Sequence, residues 1–319
     1  MPDFRTHEQI RAAYENGLPG WQYDQNSMDQ LMADGKADLF GAAAPHLAGS
    51  GAGKTALLWR SREKYDPGAF GQESQTTGDC VSHGSRNARE VTRCVEIHIK
   101  KEPEEFHLRT ATEITYMSRG HNRQGMNPAV ATRFEADYGF LFRKPYPELG
   151  FDLSTYNARI GMSGSRGVPE AVKAECKKHN VGRWIRATSA AEAKDLLQAG
   201  YAGHSGQSFG VRTSSDSRGI AIPSGRWSHD MATVGYDDTR EVYPECVFLI
   251  ANSWGKWNNK PRVWPEDRYG SWPEGSFWVA ESVYERYFAG SGSLFFYADI
   301  EGVPQKALPD YGNLTDILG

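Results

Sequence analysis

The stretch Gln75-Thr76-Thr77-Gly78-Asp79-Cys80 decides the fold, because a turn-forming Gly-Asp pair leads directly into a run with helical periodicity. Small and apolar residues recur at helical spacing over 81–95, which predicts a helix from Asp79 to about Lys100 with Cys80 in its first turn. A thiol at a helix N-terminus beside an imidazole has a lowered pKa and reacts as thiolate. Cys80 is therefore the candidate nucleophile.

Two later blocks supply the partners that such a nucleophile needs. His229 precedes an apolar run at 230–236 that predicts a strand, and it is the candidate base. Asn252 follows the apolar strand pattern at 247–251, and its side-chain oxygen can accept a hydrogen bond from the His229 ring and fix its tautomer. Trp254 can shield that bond from water, which strengthens it. The chain order Cys, His, Asn is typical of cysteine nucleophiles.

An oxyanion formed by attack of Cys80 needs hydrogen-bond donors. The backbone N–H of Cys80 at the helix start is one candidate. A second donor is expected just upstream, where Gln75 is the first candidate and Gln72 the alternate. The sequence leaves both open.

Helical patterns come first along the chain and strand patterns follow. Further helices are predicted at 128–138, 168–179 and 190–199, and strands at 206–211, 230–236, 247–251, 276–280 and 293–298. This order predicts an α+β protein in which a helical lobe leads into an antiparallel β lobe, with a cleft between them.

The domain organisation follows from this change in texture. Residues 1–60 are rich in Gly, Ala, Asp and Gln and are predicted to be an N-terminal extension or linker. Residues 61–319 are predicted to form the catalytic domain. Its helical lobe spans about 72–185, its β lobe about 186–299, and its C-terminal tail 300–319.

Composition excludes several classes of partner. Lys and Arg total 36 against 40 Asp and Glu, with no long basic block, so nucleic acid is not an expected partner. No apolar stretch approaches the ~20 residues needed to cross a bilayer.

The polar N-terminus does not resemble a signal peptide, so cytoplasmic synthesis is expected. The four cysteines are not clustered, and His83 near Cys80 completes no ligand set, so no metal or disulfide framework is predicted.

The run from Ala48 to Thr55 imitates a phosphate-binding loop. Ala48 replaces the first glycine, and no apolar strand precedes the run. A flexible linker is the favoured interpretation, and replacement of Lys54 by Ala is expected to leave activity intact.

Four blocks of this chain resemble papain-like cysteine peptidases: 75–80, 227–231, 252–255, and the segment from Gln124-Gly125 to the Tyr-Pro turn at 146–147. The resemblance spans about residues 72–299. It implies a two-lobed papain fold with a barrel-like β lobe, hydrolysis of protein or peptide substrates through an acyl-enzyme, and no cofactor. It also implies an oxyanion hole built from Gln75 and the Cys80 amide, and a substrate-lining role for Gly125 and Trp254.

Several positions depart from that family's pattern. Val81 replaces a tryptophan, Thr77 stands in the place of a disulfide cysteine, Asp230 replaces a small residue, and the glycine loop retains only Gly125. The spacing of Gln75 is short by one residue. The pattern is more similar to bacterial or phage-encoded relatives, and residues 1–60 lack the long helical inhibitory prosegment of the secreted enzymes.

Two other functions stay open at this point. The chain is also compatible with a papain-fold structural or assembly component, for example in a phage particle, with partners bound through residues 1–60 and a virion-associated location. Alternatively, the same chemistry serves an amidase acting on cell-wall peptides.

Overall fold

The computed structural model describes residues 6–100, 109–179, 183–257, 261 and 263–298, so the predicted tail at 300–319 lies outside the described residues. The helices are α1 (His7–Glu15), α2 (Gln25–Ala33), α3 (Phe40–Ala43), α4 (Trp59–Tyr65), α5 (Ala69–Gln72), α6 (Cys80–Val95), α7 (Glu113–Met117), α8 (Pro128–Tyr138), α9 (Ala158–Gly161), α10 (Glu170–Cys176), α11 (Ala190–Gln198), α12 (Glu266–Tyr269) and α13 (Glu281–Tyr287). The strands are β1 (Ala37–Leu39), β2 (Thr55–Ala56), β3 (Pro145–Tyr146), β4 (Phe151–Asp152), β5 (Trp184–Arg186), β6 (Gly203–Gln207), β7 (Val211–Ser215), β8 (Ala221–Pro223), β9 (His229–Asp237), β10 (Val247–Ala251), β11 (Ser276–Ala280) and β12 (Leu294–Tyr297).

One eight-stranded sheet organises the β half. Its strands follow the order β1, β5, β12, β6, β9, β10, β11, and β2 pairs with β9 beside that path. Every pair is antiparallel except β1 with β5. The sheet is an open path from β1 to β11. Helices of the 59–176 region precede most of it in the chain, which confirms the predicted α+β class.

Helix α6 joins the two halves because it packs against β9 and β6. Apolar residues from Val81 to Val95 face the sheet, and nearly every side chain of the helix is buried. The helix is as long as predicted only if the π-helical turn Glu96–Lys100 is included. Its N-terminus, with Cys80 as first residue, therefore lies at a fixed position relative to β9.

The buried side of α6 that faces the helical half carries charges instead of apolar groups. Ion pairs join it to neighbouring elements: Arg62 with Glu90, Arg86 with Glu73, Arg89 with Glu135, and nearby Arg143 with Glu113. A buried charge is costly unless it is paired. Each guanidinium here has a carboxylate, so the charges fix the packing of this half.

The first 60 residues differ from the predicted extension or linker. Strand β1 pairs with β5 and β2 pairs with β9, so both belong to the main sheet. Trp59, Leu57 and Leu58 are buried in the core. Part of the N-terminal region is therefore built into the domain, although its Gly and Ala content suggested a linker.

Other predicted elements agree closely with the structure. The predicted helices at 128–138 and 190–199 are α8 and α11, and the predicted strands at 247–251 and 276–280 are β10 and β11. Asn127 caps α8, its side-chain oxygen accepting from the backbone N–H of Ala129 at 2.8 Å, and Pro128 occupies the first turn. The strand predicted at 206–211 is offset, since β6 ends at Gln207. In the part of the chain that the structure describes, no helix is both long and apolar enough to span a bilayer.

Candidate active site

Cys80 begins α6 and is fully buried. Its Sγ accepts a hydrogen bond from the backbone N–H of Asp230, at 3.3 Å. The nucleophile candidate from the helical half therefore contacts the start of β9, where His229 is the first residue.

His229 and Asn252 are brought together by the register of β9 and β10. Ala251 at the end of β10 lies opposite Ala232, so the next residue, Asn252, comes alongside the start of β9. The Asn252 Oδ1 lies 2.7 Å from the His229 Nε2. This contact leaves the His229 Nδ1 without a hydrogen-bond partner among the described residues, although the atom is buried. Nδ1 is therefore the ring nitrogen available for proton transfer.

Aromatic rings enclose this contact. Trp254 is buried and stacks on the His229 ring, with centroids 4.8 Å apart and an interplanar angle of 28°. Trp227 packs against both Trp254 and His229. Trp254 thus lies where its predicted shielding of the bond between His229 and Asn252 requires it to be.

Gln75 lies in the site, and its orientation is fixed from both sides. Its backbone N–H donates to the Ser253 carbonyl at 2.8 Å, and its side-chain oxygen accepts from the Ser253 hydroxyl. The side-chain Nε2 donates to the Thr77 carbonyl at 2.7 Å and to the Tyr14 hydroxyl at 3.0 Å. Gln72, the alternate, instead donates to Pro67 and accepts from Arg109.

Tyr14 is the residue in the site that sequence reasoning missed. It lies on α1, is fully buried, and packs on the His229 ring with centroids 4.6 Å apart. Its hydroxyl accepts a hydrogen bond from the Gln75 Nε2 and lies close enough to Cys80 to influence the pKa of the thiol. One phenol therefore contacts three of the four predicted catalytic groups. Nothing in the sequence near Tyr14 indicates this contact, which exists only through tertiary structure.

The chain after α1 continues along the same site. Gly20 and Trp21 donate backbone hydrogen bonds to the Ser228 carbonyl at 3.0 and 2.8 Å. On the other side, Met126 donates to Gly20 at 2.9 Å, and Gln22 donates to Met126 at 3.0 Å. Residues 7–22, called the covering segment below, thus lie between the loop before His229 and the loop containing Gly125.

Gly125 has a positive φ of 85°, a conformation that favours glycine. A Cβ at this position would lie 2.7 Å from the Pro19 carbonyl oxygen. A hydrogen bond from the Thr77 hydroxyl to the Gln124 side chain, at 2.6 Å, joins this loop to the residues just before Cys80. The predicted substrate-lining position is therefore filled by this chain's own covering segment.

The covered site is buried, and burial sets its protonation. Burial is the main reason that the pKa of the Cys80 thiol is raised, and the charge of Asp230 adds to it. Burial lowers the pKa of His229 to about 3, against the opposing effect of Asn252. Burial disfavours the charged form of each group. The covered site therefore holds a neutral thiol and a neutral imidazole.

A buried carboxylate and a buried histidine lie next to Cys80, in addition to His229 and Asn252. The Asp230 carboxylate is 3.0 Å from the His204 Nδ1, and both side chains are fully buried. Sequence reasoning identified Asp230 only as a departure from a family pattern. The alternation of β6 and β9 puts both side chains on one sheet face, but a histidine 26 residues away gives no local signal.

The glycine-rich run at 48–55 binds protein carboxylates. Gly49 and Gly51 donate backbone hydrogen bonds to Asp195 at 2.9 and 2.8 Å, and Gly53 donates to Asp238 at 3.0 Å. The amides that would bind a phosphate are thus occupied, and the run is anchored instead of flexible. Among the described residues, no group of three His, Cys, Asp or Glu side chains could hold a metal ion.

No protein-family model matches the chain, and no curated protein matches it in sequence. Solved structures with a similar arrangement include xylellain, a cysteine protease from Xylella fastidiosa, at 18% identity and a TM-score of 0.46, covering 70% of this chain and 80% of that one. Digestive procathepsin L 3 of Tenebrio molitor has 12% identity and a TM-score of 0.46, covering 91% and 86%. Procathepsin B S9 from Trypanosoma congolense has 12% identity and a TM-score of 0.40, covering 91% and 84%. At this level of similarity, the activity has to be inferred from the atoms of the site.

Proposed function

We propose that this protein is a cysteine peptidase that hydrolyses peptide bonds through an acyl-enzyme. The observation that carries the proposal is the 2.7 Å contact between His229 Nε2 and Asn252 Oδ1, which leaves Nδ1 free in a site that also holds the Cys80 thiol. An imidazole oriented through one nitrogen acts as a base through the other.

The proposed reaction follows from these positions. The His229 Nδ1 takes the thiol proton as the Cys80 Sγ bonds to the carbonyl carbon of the scissile peptide. The backbone N–H of Cys80 and the Nε2 of Gln75 donate to the oxyanion of the tetrahedral intermediate. His229 then gives its proton to the leaving amine as the C–N bond breaks. Water, deprotonated by His229, hydrolyses the thioester and restores the thiol.

The covering segment, in its present position, keeps substrate out of the active site. The Tyr14 hydroxyl uses the Gln75 donor that an oxyanion would need, and the backbone of residues 20–22 uses the hydrogen bonds that an extended substrate would make. A substrate can therefore bind only after the covering segment leaves. The sequence predicted that residues 1–60 lack the long helical inhibitory prosegment of the secreted enzymes. The proposal assigns inhibition to the short covering segment instead.

Peptide hydrolysis in a full-length Tyr14→Ala variant tests the proposal. We expect cleavage of casein to exceed that of the parent chain and to be abolished by adding Cys80→Ala or His229→Ala. Persistent cleavage in the Cys80→Ala variant would contradict it. Release of peptides from purified peptidoglycan, with casein left intact, would instead support the cell-wall amidase.

A structural or assembly role is the second candidate, and the closed site favours it. Tyr14, Gly20 and Ile10 are buried, and the thiol is kept neutral, which suits a protein that never turns over substrate. The same Tyr14→Ala variant separates the two functions, because a chain with only a structural role stays inactive when uncovered.

A further inference from the structure

The carboxylate of Asp230 is buried directly against the catalytic helix. Asp230 is fully buried on β9, and its Oδ1 lies so close to Gly84 of α6 that a Cβ there would be 2.0 Å away. Gly84 is one turn beyond Cys80 in the same helix. Only a glycine at this position leaves room for the carboxylate, so helix and strand are matched around a buried acid.

Asp230 also holds the nucleophile through its backbone. Its N–H donates to the Cys80 Sγ at 3.3 Å. The residue that carries the buried carboxylate is thus the residue that positions the sulfur. A charge on Asp230 and a charge on the sulfur would both be negative, and like charges in a buried site disfavour each other.

His204 is the group that can balance the acid. Its Nδ1 lies 3.0 and 3.2 Å from the two carboxylate oxygens of Asp230. The ring is enclosed by Trp184 and Phe295, and its Nε2 has no hydrogen-bond partner among the described residues. Both side chains are fully buried. Burial raises the pKa of the Asp230 carboxyl, and the contact with His204 opposes that rise.

The other ionisable groups around Cys80 do not balance Asp230. They are Tyr14 from α1 and Asp79 just before α6, with His229 next to Asp230 at the start of β9. Asp79 accepts a hydrogen bond from the Tyr156 hydroxyl at 2.7 Å and lies 3.5 Å from His83, so it has partners of its own. In the proposed reaction, His229 balances the Cys80 thiolate. His204 alone remains for Asp230.

We propose that His204 and Asp230 form a positioning pair that holds the Cys80 sulfur through the Asp230 amide while neutralising the carboxylate beside it, so that the thiolate can form. This inference rests on the proposed peptidase function. It assigns to His204 an indirect role, since His204 acts only through Asp230. Without His204, a negative charge on Asp230 would have no partner and would oppose formation of the thiolate.

The test is the rate at which iodoacetamide alkylates Cys80 between pH 4 and pH 9, followed by peptide mass spectrometry in full-length Tyr14→Ala protein. In this background, His204→Gln should move the half-point of the profile upward and slow labelling at pH 6 by about tenfold, the factor that one pKa unit gives. Adding Asp230→Asn, which keeps the backbone N–H and the side-chain shape, should restore the rate to within about threefold.

Asp230→Asn alone provides a second variant if His204→Gln fails to fold. It should label at pH 6 at least as fast as the Tyr14→Ala parent, with the half-point unchanged or lower. Equal pH profiles for Tyr14→Ala protein with and without His204→Gln would overturn the inference. So would labelling as slow as that of His204→Gln when Asp230→Asn is added to it. An upward shift of the half-point in Asp230→Asn would overturn it as well.

His229→Ala separates this failure from failure of the peptidase proposal. If Tyr14→Ala protein labels rapidly and its His229→Ala derivative slowly, while its His204→Gln derivative matches Tyr14→Ala, only the role of His204 is wrong. If Tyr14→Ala protein labels as slowly as its His229→Ala derivative, both proposals are wrong.

Discussion

Two neighbouring parts of the N-terminal region differ in how they are held. In the covering segment, residues 7–22, only Ile10, Tyr14 and Gly20 are buried. Residues 25–65, called the integrated segment, instead bury Met28, Leu31 and a group of core residues that includes Leu57, Leu58 and Trp59, and they add β1 and β2 to the sheet.

The difference teaches which part can move. A segment with few buried side chains can open locally at a small free-energy cost, whereas a segment in the core opens only with global unfolding. We therefore expect the covering segment, which lies on the site, to be the part that is displaced from it. The integrated segment is part of the sheet and core that position the site, so the site cannot form without it.

Deletion provides the largest expected effect. We expect a chain lacking residues 1–22 to fold and to label at Cys80 much faster than the full chain, because the site loses its cover. A chain lacking residues 1–60 should fail to fold, because two strands and part of the core are gone. Solubility and cooperative thermal unfolding measure this, and a folded chain without residues 1–60 would break the comparison.

Arginine replacement in the two segments should differ strongly. Arg62 on α4 is buried and paired with Glu90, so Arg62→Met removes the ion-pair partner of a buried carboxylate and should lower the free energy of unfolding by about 3–5 kcal/mol. Arg11 on α1 pairs with Glu15 at the surface, and Arg11→Met should cost less than about 1 kcal/mol. Urea unfolding compares them, and equal losses would contradict the account.

Acid should weaken the charge cluster that anchors the integrated segment. Arg62 and Arg86 share Asn87 as acceptor, and Arg86 also pairs with Glu73. Burial raises the pKa of Glu73, but Arg86 and Arg143 outweigh this and lower it to about 2.

A carboxyl whose pKa is lowered in the folded state stabilises the fold above the unfolded pKa of 4.5, and this contribution is lost as the pH falls through about 2. The loss should approach about 3 kcal/mol. Urea unfolding at pH 5 and at pH 2 measures it. Glu73→Gln should show a shallower decline over this range, and a slope equal to that of the parent would contradict the assignment.

A single methyl group should open the covering segment. At Gly20 an added Cβ would lie 2.3 Å from the Tyr14 hydroxyl oxygen and 2.6 Å from the Ser228 carbonyl oxygen. Gly20→Ala should therefore increase Cys80 labelling by about tenfold, which corresponds to ~1.4 kcal/mol. Gly41→Ala in the integrated segment is the matched control, because an added Cβ there meets nothing within 4 Å. Equal labelling of both variants would show that Gly20 does not control access.

Local patterns predicted the parts of the site that follow from secondary structure. Cys80 at a helix start, and His229 and Asn252 at the ends of paired strands, are positions that periodicity and turn residues reveal. These side chains meet because the ends of β9 and β10 meet.

The remaining features depend on contacts between distant residues. Residues 1–60 have a linker-like composition, yet β1 needs β5, which is almost 150 residues away, to become a strand. Tyr14 contacts Cys80 only after α1 docks, and His204 meets Asp230 only through the register of β6 with β9. Propensity at any one of these positions does not determine such a pairing.

The most direct measurement is iodoacetamide labelling of Cys80 near pH 6 in three full-length proteins: the parent, Tyr14→Ala, and Tyr14→Ala with His229→Ala. The account predicts slow labelling of the parent, rapid labelling confined to Cys80 in Tyr14→Ala, and a return to slow labelling when His229 is also replaced. Slow labelling of Cys80 in Tyr14→Ala, no faster than that of Cys94 or Cys246, would contradict an activated nucleophile beneath the covering segment.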